Sequence, residues 1–311
     1  KVVKNMKLLV FGSNGLVGNS LKRLFANSNL FTSTYFSTRE DTNLFSLDET
    51  SKLISEFGPD IVINAAAKVG GIYANNTERT DFLMENLKIN LNILESCISN
   101  NKIKIINLGS SCIYPLDAEN PIAENSFMTG VLEPTNSPYA MAKITAIELG
   151  ESLRIQYGHE VINLMPTNLY GPNDNFDINN GHVLPSLIAK FHGSLEKSKH
   201  WVVKLWGDGS PKREFLHVDD LAEACYTCMQ KYDDAEHINV GTGEDVTIKQ
   251  LAETIVDVVG YKNDYEWDTS KPNGTPRKVL NVDKIKSLGW EPKIGLHEGI
   301  ESTYEWYKNN L

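Results

Sequence analysis

The chain has 311 residues, of which 41% are hydrophobic and 23% charged, a composition ordinary for a globular protein with a sizeable core. Its formal net charge of -10, without a basic stripe, excludes a typical nucleic-acid-binding protein, and no apolar run approaches the roughly 18–20 residues of a membrane-spanning helix. The four cysteines are scattered, so we expect free thiols, no metal site and a reducing, cytoplasmic location.

Short apolar runs alternate with longer segments of helical period through the first half of the chain. The apolar runs predict strands at Lys7–Phe11, Ile61–Asn64, Ile103–Leu108 and Val161–Pro166. The segments between them predict helices at Leu16–Ala26, from Asp48 to the Gly58-Pro59 pair, at Asp81–Asn100 and at Pro138–Tyr157. Strands that alternate with helices form a parallel sheet covered on both faces. The predicted fold class is therefore α/β, with a Rossmann-type doubly wound parallel sheet over residues 1–172.

The sequence pattern changes after Gly171-Pro172, where the predicted loops are longer and tryptophans become frequent. Short helices are expected after caps at Thr247 and Asn281. We predict that residues 173–311 form mainly a smaller α/β substrate-binding domain. Some return of the chain to the first domain is expected near residues 215–240.

Cys225 and Cys228 have the C-x-x-C spacing found in zinc and redox sites. The pair lies in a predicted helix, Leu221–Lys231, and no second pair accompanies it. We therefore interpret both cysteines as ordinary helix residues.

A glycine-rich segment follows the first predicted strand directly and opens the first helix. It runs Gly12-Ser13-Asn14-Gly15-Leu16-Val17-Gly18, with its glycines at G-x-x-G-x-x-G spacing. Gly12 permits a tight turn, Gly15 lets the backbone approach a pyrophosphate, and Gly18 lets helix and strand pack closely. Free N–H groups at the start of the helix then face the phosphates. The segment therefore predicts that these seven residues bind a dinucleotide cofactor.

The choice between NAD and NADP depends on the end of the second strand, where an acidic side chain selects the NAD ribose. The segment here contains Arg39 followed by Glu40 and Asp41. Arg39 can pair with a 2′-phosphate through its guanidinium fork, which favours NADP(H), while the two acids leave NAD open. Ligands of open parallel sheets bind beyond the carboxyl ends of the strands. We therefore predict further cofactor contacts at those ends, from Ala65, Ala66, Leu108, Pro166, Asn168 and Leu169, and one more from Lys143.

Tyr139 and Lys143 are four residues apart, which places them on one face of a predicted helix. A tyrosine of reference pKa about 10 is a poor proton shuttle at neutral pH, and a nearby ammonium favours its phenolate form. Ser110, at the end of the preceding strand, can hydrogen-bond the same substrate carbonyl. Glycine loop, serine and Tyr-x-x-x-Lys in this order resemble the short-chain dehydrogenase/reductase superfamily, which implies an enzyme that transfers hydride.

Longer segments resemble one family of the extended type within that superfamily, the GDP-L-fucose synthases. They are residues 65–76, 109–115, 132–136, 166–176, 213–220 and 271–278, and the most specific contain Val69-Gly70-Gly71-Ile72 and Ser111-Cys112-Ile113-Tyr114-Pro115. The resemblance runs from the first strand to the last helix. It implies an oxidoreductase and isomerase of nucleotide-sugar biosynthesis, which epimerises GDP-4-keto-6-deoxymannose at C3 and C5 and reduces C4 with NADPH.

In that family a cysteine and a histidine form the acid/base pair for epimerisation, and the matching positions here are Cys112 and His182. A 4-keto group acidifies the hydrogens on C3 and C5, so each inversion needs a base on one side and an acid on the other. Tyr139 and Ser110 can stabilise the enolate oxygen between these events. The resemblance also implies a homodimer formed through the two long helices. It further implies contacts to the nucleotide from Lys190, Trp206, Arg213 and Lys278.

The chain departs from the family pattern at three positions. Asn14 stands where an arginine against the 2′-phosphate is common, Lys190 where an arginine is common, and Asn273 where an aspartate is common. These changes leave open a plain C4-reductase, or action on a related GDP-4-keto-6-deoxy sugar such as a heptose. A nucleotide-sugar 4-epimerase or 4,6-dehydratase shares the fold and the Tyr–Lys pair and also remains open. The alternative of another class is a non-catalytic NADP-binding regulator.

Overall fold

Parallel strands dominate the computed structural model, which describes residues 5–100, 102–197, 201–271 and 273–311. In chain order the strands are β1 (Lys7–Phe11), β2 (Ser33–Ser37), β3 (Ile61–Asn64), β4 (Lys104–Leu108), β5 (Val161–Pro166), β6 (Asn168–Tyr170), β7 (Val203–Trp206), β8 (Lys212–Arg213), β9 (Phe215–His217), β10 (Ile238–Val240), β11 (Val246–Thr247), β12 (Tyr265–Asp268) and β13 (Arg277–Lys278). Six of them form one sheet in the order β10-β5-β4-β3-β1-β2, and every neighbouring pair in it is parallel. The α/β fold class is therefore confirmed.

The helices cover both faces of this sheet and build the remainder of the molecule. They are α1 (Leu16–Phe25), α2 (Leu47–Phe57), α3 (Ile72–Thr77), α4 (Arg79–Cys97), α5 (Ser137–Tyr157), α6 (Val183–His192), α7 (Val218–Lys231), α8 (Ile248–Val259), α9 (Asp283–Ser287) and α10 (Leu296–Asn309). One face of the sheet packs on α2, α4 and α5, and the other packs on α1 and α7. None of the helices within the described ranges has the length and apolar character needed to cross a membrane.

The predicted elements of the first half are all present, with differences at their ends. The strand predicted from Ile103 begins at Lys104, and the helix predicted over Asp81–Asn100 spans Arg79–Cys97. The Thr247 cap is confirmed, because its side chain accepts the Gln250 amide in a capping box. The Asn281 cap is displaced: α9 begins at Asp283 after Val282, while Asn281 Oδ1 accepts the Asp283 amide at 3.0 Å. Such an Asx contact can precede a helix without capping it.

The second half of the chain returns to the main sheet and also forms small sheets of its own. β10 pairs with β5, and β6 pairs with β9. β8 lies between β11 and β13, and β7 pairs with β12. Helices α6, α8 and α10 pack together around a separate apolar core that includes Tyr170, Phe191 and Ile255. These small sheets place basic side chains from β8 and β13 near the carboxyl ends of the main strands.

A ladder of buried asparagines crosses the main sheet beneath its carboxyl edge. Asn64 on β3 donates to Asn90 on α4 and to Asn107 on β4, each at 3.0 Å. Asn107 in turn donates to Asn163 on β5 at 3.0 Å, and Asn90 donates to the Ala142 carbonyl at 3.4 Å. Buried amides need such partners, since an unpaired polar group in the core is costly. The ladder joins three strands to α4 and α5 directly below the candidate site.

Candidate active site

A cavity of about 390 Å³ opens at the carboxyl ends of the main strands. The strand order reverses between β1 and β3, and such a switch point is where open sheets bind their ligands. The cavity wall contains Ser110, Tyr139 and His182, which come from three separate segments. It also contains predicted cofactor residues from the phosphate loop and the strand ends, namely Gly15, Leu16, Val17, Ala65, Pro166, Asn168 and Leu169. Residues distant in sequence thus converge on one pocket.

The glycine loop has the backbone geometry of a phosphate cradle. Gly12 has φ +78°, and a Cβ there would lie 2.6 Å from the Ala66 backbone. A Cβ on Gly18 would lie 2.2 Å from the Gly12 carbonyl, so the strand and helix can approach only without these side chains. Gly15 is extended and precedes α1 without a side-chain cap, which leaves N–H groups of the first turn available. The loop therefore fits a dinucleotide pyrophosphate.

In the loop after β2, Arg39 is exposed, while the Asp41 carboxylate is held by hydrogen bonds. Asp41 accepts hydrogen bonds from the Thr38 amide at 2.6 Å and from the Thr38 hydroxyl at 2.9 Å. These contacts lower the pKa of Asp41 and bind its carboxylate to the turn. Arg39 is exposed, and Lys22 on α1 places its ammonium 3.4 Å from the Asn14 side-chain oxygen. Arg39 after β2 and Lys22 beside the phosphate loop are therefore two cations available to a cofactor, and Glu40, next to Arg39, is exposed as well.

Ser110 and Cys112 occupy the turn after β4. Ser110 caps a short 3-10 helix at 111–113, and its hydroxyl accepts the Cys112 amide at 3.3 Å. Cys112 is 6% exposed and lies beside the cavity rather than in its lining. Burial raises the pKa of its thiol, against the opposing effects of Lys278, the Ser110 hydroxyl and Lys143. The ligand-free thiol is therefore protonated at neutral pH.

Tyr139 and Lys143 lie on one face of α5, as their spacing predicts. The expected lowering of the Tyr139 pKa by the Lys143 ammonium is wrong for this structure. Burial raises the pKa of Tyr139, with a further contribution from Cys112. Lys143 donates to the Leu108 carbonyl at 2.9 Å and lies 5.5 Å from the centre of the Tyr139 ring. Burial also lowers the pKa of Lys143 to about 8. Desolvation thus dominates the pKa of Tyr139, which holds its proton.

His182 stands at the N-terminus of α6, where its ring borders the cavity. The ring makes no hydrogen bond to the part of the chain that the structure describes, although the Asn180 carbonyl just before it accepts the Gly71 amide at 2.8 Å. That contact joins the His182 loop to the Val-Gly-Gly-Ile segment. Partial desolvation of the ring lowers the pKa of His182, although the residue is exposed overall, so its imidazole is neutral at pH 7. The resting site consequently offers a protonated thiol and a neutral imidazole.

The residues expected at the nucleotide occupy two places. Lys278 on β13 is paired in register with Arg213 on β8, and Lys278 also interacts electrostatically with Cys112. Trp206 ends β7 and is 66% exposed, with the Lys271 ammonium 5.6 Å from its ring centre. Lys190 on α6 donates to the Lys204 carbonyl of β7 at 2.9 Å. None of these four borders the cavity of about 390 Å³, and Arg213 lines a separate pocket of about 420 Å³.

Three residues that the sequence analysis singled out have plain structural roles. The Asn273 side-chain oxygen accepts a hydrogen bond from the Asp208 backbone amide at 2.9 Å. An aspartate at position 273 would place a second carboxylate beside Asp208, so the uncharged asparagine fits this turn. Its neighbour Pro272 lies outside the described residues. Cys225 and Cys228 are buried on α7, where burial raises both thiol pKa values. Across the described ranges no cluster of three or more His, Cys, Asp or Glu side chains could hold a metal ion.

Asp174 is a cavity residue that the sequence analysis did not single out. It follows Asn173, whose φ is +71°, and its Oδ1 accepts the Asn175 amide at 2.7 Å. Its Oδ2 is buried without a hydrogen-bond partner among the described residues. Burial raises the pKa of this carboxyl to about 7. The sequence analysis included Asp174 only as part of the segment 166–176 and gave it no role, since its chemistry depends on burial.

The chain matches known proteins over nearly its whole length. Residues 8–241 match the model of the NAD dependent epimerase/dehydratase family. The putative GDP-L-fucose synthase 2 of Arabidopsis thaliana is 48% identical over 308 residues, which cover 99% of this chain and 93% of that protein.

Solved structures of similar proteins have the same fold. A GDP-6-OMe-4-keto-L-xylo-heptose reductase from C. jejuni superposes with a TM-score of 0.92 at 32% identity, covering 99% of both chains. A GDP-L-fucose synthetase from Naegleria fowleri bound to NADP superposes with a TM-score of 0.91 at 29% identity, covering 99% of this chain and 94% of that one. With this fold, this cavity and these similarities, the chain belongs to the NAD-dependent epimerase/dehydratase family.

Proposed function

We propose that this protein is an NADPH-dependent enzyme that converts GDP-4-keto-6-deoxymannose to GDP-L-fucose. The observation that carries the proposal is the convergence of Ser110, Tyr139 and His182 on one cavity, with Cys112 beside it. The cavity continues to the phosphate loop, so a nicotinamide cofactor and a sugar can meet within it. The relatives named GDP-L-fucose synthase and the NADP-bound structural relative support this substrate and cofactor.

In the reduction step, Tyr139 donates a proton to O4 while Ser110 hydrogen-bonds the same oxygen. Bound NADPH would supply the hydride to C4. Lys143 holds the end of β4 through the Leu108 carbonyl, and it lies over the Tyr139 ring. The raised pKa of Tyr139 keeps its proton in place before the sugar binds, and proton transfer to O4 requires that this pKa falls when cofactor and sugar are bound. The tyrosine then regains that proton from solvent.

In the epimerisation step, Cys112 and His182 act as acid and base at C3 and C5. A base removes the proton next to the keto group, the enolate oxygen is held by Tyr139 and Ser110, and an acid returns a proton to the opposite face. A protonated thiol and a neutral imidazole provide one donor and one acceptor at the start. Arg213 and Lys278 neutralise the diphosphate, while Lys190 and Trp206 contact the rest of the nucleotide.

A second candidate is a C4-reductase for a related GDP-4-keto heptose. The heptose reductase of C. jejuni superposes as closely as the fucose synthetase does, so the fold does not separate the two reactions. Cys112 and His182 favour the epimerase/reductase, because a plain reductase has no use for a second acid/base pair.

We further propose that residues 173–311 mainly bind substrate, that two copies pair through α4 and α5, and that the enzyme works in the cytoplasm. Met84, Leu91, Met141 and Ile155 are exposed on these two helices, which supports pairing. The four free cysteines fit a reducing compartment. Sedimentation of the protein and of a Leu91→Lys variant tests the dimer: we expect a dimer that the variant converts to monomer.

A substrate panel tests the activity. The purified protein is mixed with NADPH and either GDP-4-keto-6-deoxymannose or a GDP-4-keto heptose, and the loss of reduced-nicotinamide absorbance is followed. We expect oxidation with the deoxymannose compound and GDP-L-fucose as the product. Faster oxidation of the heptose would favour the second candidate, and NADPH binding without turnover on either sugar would indicate a regulator.

A further inference from the structure

Glu214 is a buried carboxylate directly after Arg213, and the reaction described above does not use it. The residue is 0% exposed. Its Oε1 accepts the Gly243 amide at 2.7 Å and the Thr242 hydroxyl at 3.4 Å, and its Oε2 accepts the Leu280 amide at 2.9 Å. A buried carboxylate is costly unless hydrogen bonds compensate it. Here backbone N–H groups oppose that cost, although burial still raises the pKa of Glu214.

These hydrogen bonds reach the segments next to both strands that flank β8. Leu280 lies two residues beyond Lys278, which is paired with Arg213 in the β13–β8 register. Gly243 lies just before β11, whose Val246 is paired with Arg213 from the other side. One carboxylate therefore joins the segments on either side of Arg213. Through Leu280 it also holds the strand that carries Lys278.

Arg213 and Lys278 need such a frame because they repel each other. Burial lowers the pKa of Lys278, and the Arg213 charge lowers it further. Two-residue strands such as β8 and β13 have few ladder hydrogen bonds to oppose this repulsion. A diphosphate between the two cations would remove the repulsion, but only if both side chains are already in place. The backbone hydrogen bonds of Glu214 supply that placement.

The chain leaves space for this carboxylate at Gly241. A Cβ on residue 241 would lie 2.2 Å from Glu214 Oε1 and 2.8 Å from its Cδ. Because any other residue would push the carboxylate off its backbone donors, Gly241→Ala displaces Glu214 without changing its charge. This offers a second, independent way to disturb the same contact.

We propose that Glu214 is a positioning residue for the diphosphate of the GDP-linked substrate, because its carboxylate aligns the strands that carry Arg213 and Lys278. The inference rests on the proposed function. It assigns Glu214 no contact with substrate. The Glu214 backbone carbonyl, which accepts the Asn168 amide group at 2.9 Å, is a separate link to the cofactor wall. A side-chain substitution leaves that link in place.

The test measures GDP and NADPH binding by calorimetry, and KM and kcat for the keto-sugar. In Glu214→Gln, one amide N–H must face a backbone N–H of Gly243 or Leu280, so one segment is released. We expect the Kd for GDP and the KM for the sugar to rise roughly 10- to 100-fold, since displacements of about an ångström weaken a placed contact by that order. The Kd for NADPH should stay within about twofold, and kcat should fall by less than the Kd for GDP rises, because displacement of Lys278 also weakens its effect on Cys112. Gly241→Ala should change the same constants in the same direction.

Asp220→Asn is the matched control. Asp220 is also buried and accepts two backbone amides, Lys293 at 3.1 Å and Ile294 at 2.9 Å. These two residues line a pocket together with Arg213, but they belong to neither strand that pairs with β8. We expect Asp220→Asn to lower the melting temperature without weakening GDP binding. If Glu214→Gln and Gly241→Ala lose stability yet bind GDP as tightly as wild type does, the inference fails and the proposed function stands. A wild-type protein that does not bind GDP would overturn both.

Discussion

Lys278 and Cys112 come from distant parts of the chain, and in the folded protein each charge alters the pKa of the other group. Lys278 lies on β13 in register with Arg213, and Cys112 lies in the turn after β4. The cation that we assign to the diphosphate therefore also acts on the thiol that we assign to epimerisation. Nucleotide binding and carbon-acid chemistry share this residue.

This relationship predicts different effects for the two cations. Lys278→Met should weaken GDP binding and also slow hydrogen exchange at C3 and C5, even at saturating sugar, because the Cys112 thiolate loses its stabilising charge. We expect roughly a tenfold loss in each. Arg213→Met, the matched variant, should weaken GDP binding to a similar degree. It should leave the rate of hydrogen exchange at saturating sugar nearly unchanged. Equal exchange rates in the two variants would show that Lys278 does not act on Cys112.

Tyr139→Phe should abolish reduction and spare cofactor binding. The hydroxyl is the proton donor to O4, and loss of a positioned proton donor costs roughly 10²- to 10⁴-fold in rate. NADPH binding, followed by nicotinamide fluorescence, should stay within about twofold because the ring and its contact with Phe82 remain. A normal rate of NADPH oxidation in the variant would remove Tyr139 from the reaction.

The cations near the glycine loop should determine cofactor preference. Arg39→Ala is expected to raise the Kd for NADPH roughly tenfold or more, the equivalent of one lost charged hydrogen bond, and to leave the Kd for NADH unchanged. Lys22→Ala should act in the same direction, because its ammonium lies beside Asn14. Lys52→Ala on α2 is the control, an exposed cation on another helix. Parallel losses for NADPH and NADH would contradict this assignment.

Asp174→Asn should stabilise the ligand-free protein in a pH-dependent way. Burial raises the pKa of Asp174 to about 7, so the folded state binds a proton that the unfolded state has released. The resulting loss in the free energy of unfolding is absent below about pH 4, grows as the pH rises toward 7 and is complete well above pH 7. At pH 8 we expect the variant to gain on the order of 2 kcal/mol.

Thermal unfolding at pH 5 and pH 8 measures this effect. The difference in melting temperature between Asp174→Asn and wild type should be larger at pH 8. Asp177→Asn, in the same loop, is the control, because this exposed carboxylate already accepts the Asn179 and Asn180 amides. A gain that is the same at both pH values would contradict the assignment of the cost to the Asp174 charge.

The contiguous parts of the fold and site could be predicted from sequence because their signals are local. The phosphate loop needs glycines at fixed spacing, and the strand ends follow from alternation of apolar runs and helices. Glu214 and Asp174 could not be found in this way. The Glu214 carboxylate binds the amide of a residue 66 positions away, and its role depends on burial between short strands that carry little periodic signal. The protonation state of Tyr139 likewise depends on desolvation, which the Tyr-x-x-x-Lys spacing does not contain.

The central claim is that one site both epimerises and reduces, and one incubation tests it most directly. Protein, NADPH and GDP-4-keto-6-deoxymannose are mixed in D₂O, and the product is analysed by NMR. We predict GDP-L-fucose with deuterium at both C3 and C5, formed with one NADPH oxidised per product, and no such deuterium from Cys112→Ala. A reduced product with hydrogen retained at C3 and C5 would contradict the account and identify a plain C4-reductase.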